Sequence, residues 1–102
     1  MDEEALYRLI GERIRAIRER SAPKLSQAKL AKQLGISRAS VVNIEGGRQH
    51  APLHLLWKIA CALDAELTML VPRRAELAAT GTGVELNEEH LQRIHVNFLI
   101  KQ

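Results

Sequence analysis

Only three aromatic residues occur in this 102-residue chain, Tyr7, Trp57 and Phe98, so any core it forms is built of Leu, Ile, Val and Ala, a composition that suits packed helices. The single cysteine, Cys61, excludes an intrachain disulfide and a multi-cysteine zinc framework, and fits a reducing compartment. No apolar run approaches the length of a signal or membrane helix, and Met1 to Glu4 is acidic rather than basic. A soluble, intracellular chain is the expectation. There is no glycine-rich phosphate loop, no nucleophile elbow and no carboxylate pair facing a plausible pocket. His50, His54, His90 and His95 show no metal-site spacing, and His54 with Cys61, seven apart on one helical face, are too few to hold an ion alone. Neither an enzyme nor a bound metal or cofactor is expected.

The formal charge of +3 is small, but it is segregated. Between Arg13 and Arg48 nine Lys or Arg residues face only Glu19 and Glu45, whereas from Ala75 to Gln102 four glutamates face Arg93 and Lys101. A basic body beside a mildly acidic tail suits a nucleic-acid-facing core with a separate extension; an ordinary solvated helical surface would read the same way.

Helical spacing of Leu6, Ile10, Ile14 and Ile17 predicts a first helix from Glu4 to Arg20, broken at Ser21-Ala22-Pro23-Lys24 because Pro23 lacks a backbone donor and restricts Ala22. Ser26 caps a second helix that ends at Gly35, and Ser37 caps a third from Arg38 to Glu45, stopped by Gly46-Gly47. Pro52 opens a fourth helix with an apolar line of Leu53, Leu56, Ile59 or Ala60, and Leu63. Glu66 to Val71 reads as a short fifth helix, although the alternation of Leu67, Met69 and Val71 also permits a strand. The chain then divides into a domain at 4–72, a linker at 73–86 containing Gly81-Thr82-Gly83, and a segment at 87–102 with Leu91, Ile94 and Phe98 at helical spacing. Residues 96–100 are apolar all round if helical, or alternate if they form a strand.

Two short helices joined by a tight turn hold a steep angle only with a small residue at the crossing, a glycine in the turn and a branched apolar residue sent back into the crossing. Counted from Gln27, Ala31 is fifth, Gly35 ninth and Val41 fifteenth, with Leu30, Leu34, Ile36 and Ile44 at the remaining buried positions. Every steric requirement of a helix-turn-helix between Gln27 and Gly46 is met.

At these positions the chain resembles the phage-repressor-like, or Xre/Cro-type, helix-turn-helix regulators. The resemblance runs from Tyr7 to Pro72 through Ile10-Gly11-Glu12-Arg13-Ile14, Leu25-Ser26-Gln27, Leu30-Ala31, Leu34-Gly35-Ile36-Ser37, Ile44-Glu45-Gly46-Gly47-Arg48 and Ile59-Ala60 through Leu63. It implies an all-α, five-helix lambda-repressor-like bundle that binds double-stranded operator DNA as a homodimer and represses transcription in the cytoplasm, at the nucleoid, of a bacterium or phage host. With the third helix in the major groove, Arg38, Ala39 and Asn43 take the base-reading positions. Gln27, Ser37, Ser40, Arg48 and Gln49 take backbone positions, and Arg18 matches the first-helix partner of Glu45 in a structural ion pair. Lys24, Lys29 and Lys32 supply diffuse attraction or plain solvated surface, and His50 either approaches a phosphate or stands in a solvated loop. Two departures stand out: Lys29 replaces the acid of a capping box, and the 21–24 loop is longer than usual.

Trp57, with His54 and Cys61, forms a second stripe on the fourth helix, which one core does not readily cover. Cover by the fifth element or tail, and a dimer seam, are the alternatives. Trp57, Leu91, Ile94 and Phe98 are therefore the expected dimer or partner surface. The same domain serves antitoxins and defence-locus switches, so a co-encoded protein bound by the tail, or a protease that recognises it, is the alternative to a plain repressor.

Overall fold

In the computed structural model, which describes residues 2–79, every regular element is a helix. Helix α1 (Glu3–Arg20) begins where the Asp2 carboxylate accepts from the Ala5 amide, with Glu3 and Glu4 at its positive end and Arg18 and Arg20 at its negative end. The long loop after it is tied down: the Ser21 hydroxyl donates to the Arg18 carbonyl at 2.7 Å and accepts from the Leu25 amide at 3.1 Å. Helix α2 (Gln27–Leu34) starts on Ser26, whose hydroxyl accepts from the Lys29 amide, so half of a capping box forms despite the lysine. It stops at Gly35, whose φ of 72° lets the Ile36 amide turn back to the Ala31 carbonyl.

Helix α3 (Arg38–Glu45) is capped by Ser37 through the Ser40 amide and keeps the bounds expected from sequence. Helix α4 (Leu53–Ala62) follows Pro52, which is the extended residue before the helix rather than its first turn. Leu53 departs from the expected apolar line. It is 69% exposed, and buried Ala51 fills the core at this end while Leu56, Ile59, Ala60 and Leu63 carry the inner face.

Helix α5 (Leu67–Leu70) settles the choice between helix and strand: Leu67 and Leu70, three apart, both pack on the core while Met69 is exposed, whereas the alternation of Leu67, Met69 and Val71 would turn Met69 to the same side as Leu67. These five helices enclose one core whose most deeply buried large side chains are Ile14, Leu30, Ile59 and Leu70.

The stretch 73–86, expected as a linker, opens instead with helix α6 (Arg74–Ala79). Its anchor is ionic: the Glu76 carboxylate accepts from Arg13 of α1, from the Arg73 amide at 3.1 Å and from the Arg73 side chain at 2.9 Å. A composition-based boundary misses such a contact because both partners look like ordinary surface charges. The segment 87–102, with Leu91, Ile94, Phe98 and the helix-or-strand question at 96–100, lies outside the described residues.

The same contact predicts a pH effect. The Arg13 hydrogen bond first, then the Arg73 amide and side chain, hold the Glu76 carboxyl at about 2, below its ordinary 4.5. The group contributes stability in full above 4.5 and loses it as pH falls through about 2. Glu76→Gln should therefore flatten the acid limb of a stability-versus-pH profile in this window, and an unchanged limb would separate α6 docking from this carboxylate.

Candidate nucleic-acid interface

The geometry of α3 is set from below, where α1 crosses it so closely that a β-carbon built on Gly11 would lie 2.4 Å from the Ile44 carbonyl oxygen and 2.5 Å from that of Glu45. On its inner side α3 buries Val41, Ile44 and Glu45, and Ala31 of α2 is buried with them. The complementary arc of a 3.6-residue helix carries Arg38 and Ala39, both exposed, then Val42 and Asn43, both half-buried. Val42, which no motif of the sequence singles out, lies between Arg38 and Asn43 on that arc.

Glu45 is the junction beneath this surface. Arg18 grips it bidentately, Nε to Oε2 at 2.6 Å and Nη2 to Oε1 at 2.9 Å, while Arg18 Nη1 donates to the Leu25 carbonyl at 3.2 Å. Both side chains are buried, and among the described residues no buried side-chain polar atom lacks a partner. The hydrogen bonds that Arg18 donates to Glu45 raise the Arg18 pKa above its ordinary value despite the opposing effect of burial.

Gln27 joins this network, which its sequence position did not reveal. Its Nε2 donates to Glu45 Oε1 at 3.0 Å, and its Oε1 accepts a long contact of 3.5 Å from Arg38 Nη2. Gln27 thus links the buried ion pair to the exposed start of α3. Ser37 and Ser40 stand at that start, their hydroxyls 3.1 Å apart, and Arg48 and Gln49 at the other end. Arg48 Nε donates to Asn43 Oδ1 at 3.2 Å. Lys24, Lys29 and Lys32 are exposed.

His50 has a partner that neither sequence alternative included. Its ring stacks on Tyr7 with centroids 3.7 Å apart and planes inclined by 10°, joining the loop after α3 to α1. Nothing in the sequence signals a pair 43 positions apart.

On another side of the molecule Trp57 is 61% exposed, so α5 does not cover it. With Cys61, Asp64 and Leu67 it lines a groove of about 660 Å³ between α4 and α5. No helix among the described residues is long and apolar enough to cross a membrane.

A helix-turn-helix family model matches residues 14–70. None of the curated proteins compared matches the chain. Among solved structures, the chain is similar to the restriction-modification controller protein C.AhdI from Aeromonas hydrophila, at 36% identity over 69% of this chain and 99% of that one, with a TM-score of 0.62. It is also similar to the hypothetical transcription factor NHTF from Neisseria, at 29% identity, 78% and 88% coverage and a TM-score of 0.59. The clp gene regulator ClgR from C. glutamicum shares the fold at 21% identity, with 78% and 96% coverage and a TM-score of 0.60.

Proposed function

The chain belongs to the Xre-like helix-turn-helix family of DNA-binding transcription regulators, and from that premise we propose that it is a homodimeric repressor of a roughly palindromic double-stranded operator. The observation that carries this reading is the outward arc of α3, a row of side chains free of core duties on a helix locked from behind by Arg18 and Glu45. With that arc in the major groove, Arg38 reaches a guanine edge, the Ala39 methyl meets a thymine methyl, and Asn43 reads the next edge. Gln27 at the α2 N-terminus, with Ser37, Ser40, Arg48 and Gln49, holds the phosphates and fixes register. In this reading the chain binds rather than catalyses, and it acts at a bacterial nucleoid.

Homodimerisation is supported by Trp57, Leu53 and Met69, large apolar side chains left exposed on one small domain. A two-fold pair sets two α3 helices about one duplex turn apart. The likeness to a restriction-modification controller favours a second reading, a switch for a defence locus whose segment 87–102 engages a co-encoded protein as an antitoxin would. Co-purification with the products of adjoining genes separates the two.

Selection of bound duplexes from random DNA tests the primary reading, which fails if no sequence is enriched. Arg38→Ala should then lose discrimination of about 1–3 kcal/mol at one base pair per half-site while other positions keep their preference. Uniform weakening with an unaltered preference would move Arg38 to the phosphates.

A further inference from the structure

We infer that Arg48 sets the base preference of Asn43, making the far end of α3 a reader of guanine rather than adenine; the inference rests on the DNA-binding reading above.

A free asparagine amide offers an oxygen with two lone pairs and two N–H donors, which is why asparagine matches the N6 donor and N7 acceptor of adenine. Here one lone pair of that oxygen is already engaged, because Arg48 Nε donates to Asn43 Oδ1 at 3.2 Å. A guanidinium has donors only, so chemistry dictates that the oxygen of the amide, and not its nitrogen, faces Arg48. The pair therefore offers a base the Nδ2 group and the remaining N–H groups of Arg48 against a single free lone pair on Oδ1, a surface weighted toward donors. A donor-weighted surface suits guanine, whose major-groove edge presents the N7 and O6 acceptors, better than adenine, whose N6 donor has only that one lone pair to meet.

The arrangement is held by more than one bond. The Arg48 and Gln49 amides both donate to the Asn43 carbonyl, at 2.9 and 3.1 Å, so the residue carrying the guanidinium is tied to the backbone of the residue it orients. Arg48 Nη2 also points to the Val42 carbonyl at 3.5 Å, at the negative end of α3. Gly46 makes the seat: a β-carbon there would lie 2.4 Å from Nη1 and 2.7 Å from Cζ of Arg48. Gly46 has a φ of −83°, which alanine adopts freely, so a methyl at this position displaces the guanidinium without disturbing the backbone.

The test is selection of bound duplexes by the full chain, its Arg48→Ala variant and its Gly46→Ala variant, with Asn43→Ala marking which base pair Asn43 faces. Thermal unfolding confirms that each variant is folded. The parent should select guanine at the marked position, and both variants should shift the guanine-to-adenine affinity ratio toward adenine by about 10-fold. Gly46→Ala is the sharper variant because it keeps the charge of Arg48. Selection of adenine by the parent, or retained guanine in both variants with affinity uniformly lowered, overturns the inference and leaves Arg48 only the phosphate contact already proposed for it. Absence of any enriched sequence with the parent protein overturns the DNA-binding reading itself, a distinguishable result.

Discussion

Gly11→Ala should destabilise the chain by about 3 kcal/mol or more, although alanine in a helix interior is ordinarily worth about 1 kcal/mol of added stability over glycine. The sign reverses because of what the methyl meets. It would enter at 2.4 to 2.8 Å from the Ile44 and Glu45 carbonyl groups, which are backbone and have no rotamer to escape into. Relief requires α1 and α3 to part, and the Arg18–Glu45 pair opposes any parting. A small domain has about 5–15 kcal/mol in all, so this one methyl removes a large share. Urea unfolding checks it, and a stabilised variant would mean that α1 and α3 do not cross as closely as described.

Glu45→Ala should cost about 3–5 kcal/mol, since it strips the buried Arg18 guanidinium of its bidentate partner and leaves it the Leu25 carbonyl at 3.2 Å and the exposed Glu19 at 4.0 Å. Arginine does not escape by losing its proton, and Gln27 loses its acceptor at the same time. The instructive comparison is Arg18→Met combined with Glu45→Leu, which removes both charges and should return most of the lost stability. A double replacement as unstable as Glu45→Ala would show that the pair supplies net stability rather than chiefly avoiding a stranded charge. Because Gly11 abuts Glu45, the Gly11 and Glu45 replacements should not add.

How far the sequence discloses all this depends on the range of the interaction. The caps at Ser26 and Ser37, the left-handed Gly35 and the crossing of Ala31 with Val41 obey rules that act within a few residues, and the structure has each in place. The Arg18–Glu45 pair, 27 positions apart, became legible only through resemblance to a family. Gly11 carried a local signal, a glycine inside a helix, but its reason lies in another element. The Tyr7–His50 stack, the Arg13–Glu76 anchor of α6 and the second duty of Gln27 are long-range pairings that no periodicity encodes. Leu53 shows the opposite failure: its pattern says core, but burial requires a neighbour above it, which no single helix reveals.

Gln27 finally bears on how such a protein can be changed. Arg38 and Ala39 are exposed and have no part in the core, so on the proposed reading their exchange would change the operator without renegotiating the fold. Gln27 has no such freedom, because the amide that would touch a phosphate also completes the shell of Glu45. On the proposed DNA-binding reading, the choice of base can therefore be altered at Arg38 and Ala39 without touching the core, whereas altering the grip on the duplex at Gln27 also alters the setting of Glu45.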